Sequence, residues 1–540
     1  MVVIRGNRSE LMELYGSSFP DNIKSFSRVI GFTVEEYGDD IKVEFNPDRP
    51  DLFAFSQLKT AIDTYYSDNH RVPDISSKPI FRLQQDASTY HIRRYILGFS
   101  ARGPKIGRHF NELIEFQEKI HQTIGKDRLK VSIGLHDSSN LTREIIFKGI
   151  EPEGISFTTY DGLVSGNASK ILKEHPKGVE YSHLLGGSRT VTVLLDSNGH
   201  VLSMPPVING DFTKVTPDTR NFFADITGTE ISSVRNTLYL LAYYFANLGY
   251  SINLSFSDEG LRSRILPFDK RKVVITRREV QKTLGLEIPL GEATALLRKM
   301  GIGSSLKGNS LLCEVPGNRV DVMGPADIAE EIAKAFGYNN VRAVRPKLSI
   351  IGKINPETRL ADETRAILLG MSIQEVMSYV VSSKSVFSIE DGDTHYRILN
   401  PKSEDFSVIR SRLYPNLLEF LRINKRNNLP QEIFEVGYVI QGGNQRLAAA
   451  VVSCGTDSDY SRIRGILDAF SQRIIGRRLT VLPSSSANFI EGRYGQISLE
   501  RGSIGIIGEL HPLVLNKFDL SYPVALWEMC LDSIEISGSL

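Results

Sequence analysis

Four carboxylates crowd one short stretch of the chain: Asp321, Asp327, Glu330 and Glu331. A helix opening at Pro325 puts Asp327, Glu330 and Glu331 on one face through their i, i+3 and i+4 spacing, and Asp321 can fold back from the preceding loop. Such an all-oxygen set offers only hard ligands. A second reading needs no metal, because acidic side chains in a first helical turn are favoured by the helix dipole. Missing patterns exclude other chemistry. There is no GxxxxGK[ST] loop, no GxSxG turn and no HExxH helix, so neither a P-loop, a nucleophile elbow nor a zincin site is expected. Cys313, Cys454 and Cys530 form no CxxC pair, which excludes a thiolate zinc site of the usual spacing and any disulfide framework. They read as small core residues in a reducing compartment.

The elements that must position these groups follow from punctuation and periodicity. At 540 residues the chain is too long for one core, and about three to five domains are expected. The stretch Glu44 to Leu52 is a turn-rich connector whose two prolines forbid a helix interior. Asp51 is expected to cap the next helix, in which Leu52, Phe55, Leu58, Ile62 and Tyr65 recur at helical spacing. From about 88 to 265, helix and strand patterns alternate. Leu113, Phe116, Ile120 and Ile124 form one apolar stripe. Thr190 to Leu195 reads as extended, and Asn198-Gly199 signals a hairpin into Val201. A further helix is expected over about 230–248.

Residues 270–345 read as a compact helical unit. Thr276-Arg277-Arg278-Glu279 is a capping box. A second helix over about 291–300 stops at Gly301, and a third runs from Pro325 to Phe336 with Gly337 as its stop. The rest, 350–540, mixes helices with strands such as Glu432 to Ile440 and Ser503 to Gly508.

Composition sets the setting. Hydrophobic residues at 41% and charged residues at 24% are ordinary for a soluble globular protein. The 64 basic and 63 acidic side chains nearly cancel, so RNA contact would be local or shared with a partner. Lys270-Arg271-Lys272 with Arg277 and Arg278, and Arg422 with Lys425 and Arg426, are basic runs that solvated helix ends explain more readily than phosphate contacts. No run of about 18 apolar residues exists, so no membrane span is expected. Met1 to Gly6 turns polar too soon for a signal peptide, and a cytoplasmic location is expected.

Several short motifs then occur in a telling order: Asn46-Pro47-Asp48-Arg49-Pro50-Asp51-Leu52, Gln117-Glu118-Lys119-Ile120-His121, Gly134-Leu135-His136-Asp137, Pro205-Pro206-Val207-Ile208-Asn209, Thr227-Gly228-Thr229, Ser407 to Leu413 with Phe434-Glu435-Val436-Gly437, and Gly508 to Pro512. Together they span nearly the whole chain, and in that order the sequence resembles the beta subunits of archaeal/eukaryotic phenylalanyl-tRNA synthetase. The resemblance implies an α+β multidomain fold. Its units would be an amino-terminal α/β module (1–85), a mixed α/β editing domain (86–266), a small helical, winged-helix-like domain (267–346) and a degenerate class II synthetase-like antiparallel sheet domain (347–540).

It further implies an alpha-subunit partner in an α2β2 heterotetramer, tRNA(Phe) as a second partner, and Mg2+ on Asp321, Asp327, Glu330 and Glu331. Synthesis of phenylalanyl-tRNA would occur on alpha, since no Gly-rich segment ends in the ATP-holding arginine of class II synthetases. This chain would instead hydrolyse mischarged tyrosyl-tRNA. A pocket built for phenylalanine rejects an added hydroxyl only about a hundredfold, so a second site that binds the hydroxyl is needed. Ser203, Asp225 and Thr227 are its candidate residues, with His121, His136 and Asn209 to orient the ester or a water; each also has a local structural explanation. The rival readings are a freestanding deacylase and an assembly subunit whose editing site has decayed.

Overall fold

Alternating burial builds the first sheet. Ile41, Val43 and Phe45 are buried, while Asp40, Lys42 and Glu44 between them keep solvent contact. That strand, Asp40–Phe45, lies centrally between Val2–Asn7 and Thr33–Tyr37, antiparallel to both. The computed structural model describes residues 1–67, 73, 75–257, 270–346, 350–389, 396–499 and 502–534. The chain divides into two compact units, Met1–Val344 and Arg345–Leu540.

The helix Phe55–Ser67 buries Phe55, Leu58 and Ile62 as the spacing predicts. Asp51, however, does not cap it. Both carboxylate oxygens are taken by Arg49, from Nε and from one terminal nitrogen, each at 2.8 Å. A two-pronged charged pair out-competes a single cap bond for a buried carboxylate.

Two five-stranded sheets follow. In one, the order is Ile75–Ser76, Ser251–Phe256, Tyr95–Arg102, Asn221–Gly228, Val131–Asp137. In the other it is Ile208–Asn209, Val201–Met204, Val191–Asp196, Glu144–Ile150, Arg82–Gln85. Residues 75–85, expected with the amino-terminal module, thus contribute short strands to these sheets. The helices Phe110–Gln122 and Ile231–Asn247 bury their apolar faces, Leu113, Phe116 and Ile120 on one and Leu238, Leu241 and Phe245 on the other, in one core with Ala224 and Ile226. The opposite face of the same strand turns Phe223 into a separate cluster with Leu194 and Leu202 of the second sheet. Period-two alternation along Asn221–Gly228 therefore puts Asp225 and Thr227 on the side of Phe223, toward the second sheet.

The region read as helical also contains a sheet, Lys270–Thr276, Ser310–Pro316 and Gly303–Lys307, with Ser310–Pro316 in the centre. The basic run hid this strand: Val273 and Ile275 point inward while Val274 is exposed. The Thr276–Glu279 capping box forms as expected, Thr276 Oγ1 accepting from Glu279 N at 3.1 Å and Glu279 Oε2 from Thr276 N at 2.7 Å. The helix Pro325–Phe336 ends at Gly337 with φ 91°, a conformation that suits glycine.

The second unit is built on a seven-stranded sheet in the order Gln374–Glu375, Gln431–Gln441, Asn444–Cys454, Val524–Cys530, Gly502–Leu510, Phe489–Leu499, Thr480–Pro483. All its pairings are antiparallel except the first. Helices Pro356–Gly370 and Tyr460–Ile475 pack into one apolar cluster with this sheet, and Tyr414–Ile423 into another. Among the described residues no helix is long and apolar enough to cross a membrane. All three cysteines are buried and unpaired.

Candidate active site

Between the two five-stranded sheets lies a cavity of about 370 Å³. Ser203 and Asp225 both line it, together with Gly134, Ser132, Glu118, Arg128 and Asn209. Strand register brings the groups together. Asp225 sits opposite Gly134, and Thr227 opposite Ser132, while Ser203 pairs with Asn209 across a neighbouring hairpin.

Asp225 is 1% exposed and His136 is fully buried. His136 Nε2 lies 2.8 Å from Asp225 Oδ2, and its Nδ1 lies 2.7 Å from Thr213 Oγ1. The other carboxylate oxygen, Oδ1, has no hydrogen-bond partner within the protein, and neither has the buried Ser203 Oγ. Buried polar atoms are normally paired, so orphans on Ser203, Asp225 and, at its Nε, Arg128, all residues that line one cavity, mark a place shaped for a polar group from outside. Gly134 is required here for space: a Cβ would collide with Asp225 Oδ2 and lie 2.7 Å from His136 Nε2.

Thr227 is placed differently. Its hydroxyl is held at 3.0 Å by Ser132 Oγ and at 3.1 Å by Arg93 Nε, and Arg93 also donates to its carbonyl at 3.0 Å. It sits behind Ser132, which lines the cavity where Thr227 does not. Its contribution is to fix Ser132 and Arg93.

One wall of the cavity joins two of the sequence motifs through Arg128, a residue that carries no recognisable local signal. Arg128 donates to Glu118 Oε1 at 2.9 Å and to the Pro206 and Val207 carbonyls at 3.3 and 3.1 Å. It also lies 4.4 Å from the centre of the Tyr181 ring. His121, one helical turn from Glu118, approaches Glu118 Oε1 with Nδ1 at 3.3 Å and accepts from Ile133 N on Nε2 at 2.9 Å. That pattern assigns the neutral Nδ1–H tautomer. Burial drives the His121 pKa below its ordinary value, against the pull of Glu118. Burial alone would raise Glu118, but the His121 hydrogen bond and the nearby charges of Arg128 and Lys177 outweigh it and hold the carboxyl below its ordinary range. A carboxylate that acidic is a fixed anion and a poor base at neutral pH.

Both histidines thus have two occupied ring nitrogens. They hold Asp225 and Glu118 in place and offer no free imidazole to a water or an ester. Asn209 donates to the Leu135 carbonyl at 3.2 Å and lines the cavity. Lys177 and Lys214 also line it, which leaves cationic groups available to a polyanionic ligand.

The four candidate metal carboxylates do not converge. Among the described residues no three His, Cys, Asp or Glu side chains are grouped to hold a metal ion. Asp327 Oδ2 accepts from Met323 N and Gly324 N at 2.7 and 2.8 Å and closes the start of its helix. Glu330 is half exposed and pairs with Lys334 at 3.0 Å. Asp321 and the buried Glu331 both face Arg319. The oxygens are of the right chemical class for magnesium, but their arrangement does not fit it.

In the second unit, two motifs far apart in sequence meet. Arg410 and Glu435, each side chain 3% exposed, form an ion pair at 2.5 Å. Arg410 Nε donates to the Tyr438 carbonyl at 2.8 Å, and another of its nitrogens to Ser378 Oγ at 3.0 Å. A Cβ on Gly437 would strike the Arg410 guanidinium. This buried arginine is committed to internal contacts.

Residues 273–338 match the tRNA synthetase B5 domain, and residues 341–531 match the phenylalanyl tRNA synthetase beta chain CLM domain. A protein of Thermoplasma volcanium named phenylalanine–tRNA ligase beta subunit is 39% identical over 537 residues, covering 99% of each chain. The Thermoplasma acidophilum protein of the same name is 37% identical, covering 100% of this chain and 99% of its own. An N-terminal fragment of the phenylalanyl-tRNA synthetase beta-subunit from Pyrococcus horikoshii superposes with a TM-score of 0.56 at 26% identity, over 62% of this chain and all of the fragment. With near-complete coverage at this identity, the chain belongs to the phenylalanine–tRNA ligase beta subunit family.

Proposed function

We propose that this chain is the proofreading and scaffolding half of a cytoplasmic α2β2 phenylalanine–tRNA ligase. The alpha subunit would form phenylalanyl-tRNA(Phe) from ATP and phenylalanine, and the cavity between the two five-stranded sheets would hydrolyse tyrosyl-tRNA(Phe). The observation that carries this reading is the pair of unpartnered buried groups, Ser203 Oγ and Asp225 Oδ1, on residues that line the cavity from its two sheets. A phenol O–H donated to Asp225 Oδ1 would satisfy that oxygen, with Ser203 as its polar neighbour. Phenylalanine would leave both unpaired, and an unsatisfied buried polar atom costs about 1–3 kcal/mol. One such group corresponds to roughly 5- to 150-fold discrimination.

For hydrolysis, this chain's contribution is placement. His136 and Gly134 hold Asp225, and His121 and Arg128 hold Glu118, so the aminoacyl group enters a pre-formed site and the ester is presented to a water in one orientation. Lys177 and Lys214 would meet the phosphates of the tRNA end, a charge contribution that falls with salt. Thr227 acts through Ser132 and Arg93 as a positioning residue. The unit 345–534 supports the scaffolding half of the reading. Its Arg410 is locked internally, and Met377, Tyr379, Leu399 and Phe406 are exposed, the rings of Tyr379 and Phe406 with centres 5.9 Å apart. An alpha subunit would cover such a surface, and a freestanding deacylase would have no use for it. The subdivision into amino-terminal module, editing domain (86–266), B5-like domain (267–346) and synthetase-like domain (347–540) belongs to the same reading.

Ser203→Ala tests the assignment cleanly. The hydroxyl makes no internal hydrogen bond, so its loss should leave the melting temperature of the purified complex unchanged. Tyrosyl-tRNA(Phe) deacylation should fall about tenfold, the effect of one net hydrogen bond of about 1.4 kcal/mol. Unchanged deacylation by a folded variant would remove the assignment.

A further inference from the structure

Two sequence motifs that the editing chemistry does not use meet in space. Arg49, from the Asn46–Leu52 motif, lies with Nε 4.0 Å from Oδ2 of Asp321, the first of the four carboxylates. Arg319 grips the same Asp321 in a fork: Nε is 3.0 Å from Oδ1 and Nη2 is 2.8 Å from Oδ2. Its Nη2 also lies 2.7 Å from Glu331 Oε2, close enough for an ion pair but off the N–H direction, so that this oxygen accepts no hydrogen bond. Glu331 Oε1 meets Lys334 Nζ at 3.3 Å. Arg319 is anchored from behind by Nη1 on the Met300 carbonyl at 3.2 Å.

Charge decides between a metal and these cations. Arg49, Arg319 and Lys334 face the buried or nearly buried Asp51, Asp321 and Glu331, three against three, and Lys334 also meets the half-exposed Glu330 at 3.0 Å on its solvent side. All six are less than one-tenth exposed except Asp321, which is nearly so. The cluster is already neutral, and arginine does not give up its proton in proteins. A divalent ion would add two uncompensated charges to a buried site, a costly arrangement. Magnesium also demands near-octahedral oxygen at about 2.0–2.1 Å, whereas the point between Asp321 Oδ2 and Glu331 Oε2 holds Arg319 Nη2. Asp327 is spent on its helix and Glu330 faces solvent.

We propose that in this chain the Asp321–Glu331 carboxylates hold no divalent cation: Arg319 is their resident cation, and with Arg49 and Lys334 it forms an ionic seam that fixes the amino-terminal module to residues 270–345. Packing runs through the same place, since Ile30 and Tyr65 of the amino-terminal module contact the apolar core of 273–335.

The purified complex tests this with Mn2+ as the probe, bound ions being counted by electron paramagnetic resonance and unfolding followed by melting. Wild type and Glu330→Gln, an exposed change that leaves the fold alone, should bind the same number of Mn2+ ions. Neither should change its melting temperature when EDTA is added. Arg319→Met removes the resident cation and leaves two buried carboxylates facing each other, so it should melt several degrees lower in EDTA and regain stability on adding Mn2+. Arg319→Lys, which keeps a charge, should gain less from Mn2+. A wild-type melting temperature that drops by several degrees in EDTA, or one bound Mn2+ lost in Glu330→Gln, would overturn the proposal. The wild-type and Glu330→Gln arms decide it even if Arg319→Met does not fold.

Discussion

Asp225→Ala should reduce tyrosyl-tRNA(Phe) deacylation at least about a hundredfold, while phenylalanyl-tRNA(Phe) synthesis by the same complex stays within twofold of wild type. The size follows from what the side chain does. Oδ1 is the acceptor offered to the tyrosine hydroxyl, and a hydrogen bond to a charged group contributes about 1.5–3 kcal/mol. Oδ2 holds His136, itself pinned by Thr213, so the substitution also strands a buried imidazole behind the cavity lining. Asp225→Asn keeps the volume and separates the two effects: it should fold like wild type yet recognise tyrosine less well. Gly134→Ala should reproduce the alanine defect without removing a polar atom, because its Cβ drives into Asp225 Oδ2 and displaces the carboxylate. Initial rates on isolated tyrosyl-tRNA, read as kcat/KM, report the loss of transition-state stabilisation directly. A folded Asp225→Ala complex that deacylates at the wild-type rate would break the link between this carboxylate and editing.

Glu435→Ala should be the most destabilising single change in the second unit. It strands Arg410, a cation 2% exposed, and breaking a buried pair from one side costs about 3–5 kcal/mol. In a domain of this size roughly 2–4 °C accompany each kcal/mol, so the midpoint of this unit should fall by roughly 6–20 °C. The double variant Glu435→Ala/Arg410→Met, which removes both charges, should recover much of that loss. A single-variant shift below about 2 °C would mean the pair is not a structural lock. The contrast with Ser203→Ala is instructive. An orphaned hydroxyl in a cavity serves what enters the cavity, whereas a saturated buried pair serves the fold.

Local signals carried well from residues to structure. The Thr276–Glu279 box, the Asn198-Gly199 turn and the glycine stop at 337 each need only a few neighbouring residues, and each forms as read. The signals that failed were those in which a competing side chain or a neighbouring strand decides. Asp51 looked like a helix cap until Arg49 claimed it. Lys270 to Thr276 looked like a basic run because Val273 and Ile275 become an inward face only once Ser310–Pro316 lies beside them. The candidate site shows the same division. Ser203 and Asp225 stood near recognisable motifs and do meet in one cavity. The roles of Gly134, Glu118 and Arg128 depend on pairings such as His136 with Asp225, 89 residues apart, or Arg93 with Thr227, 134 apart. No window of sequence contains such pairs. In the Asp321–Glu331 set, Arg319 stands two residues from Asp321, within reach of a sequence reading, and only Arg49 comes from far along the chain.

The pre-formed cavity is held to be a tyrosine sieve for misacylated tRNA. The most direct test gives the purified wild-type complex tyrosyl-tRNA(Phe) and phenylalanyl-tRNA(Phe) separately, without ATP, and compares the rates at which each is deacylated. Faster loss of the tyrosyl ester, by about tenfold or more as one paired buried hydroxyl requires, is the predicted result. Equal rates, or hydrolysis of neither, would contradict it.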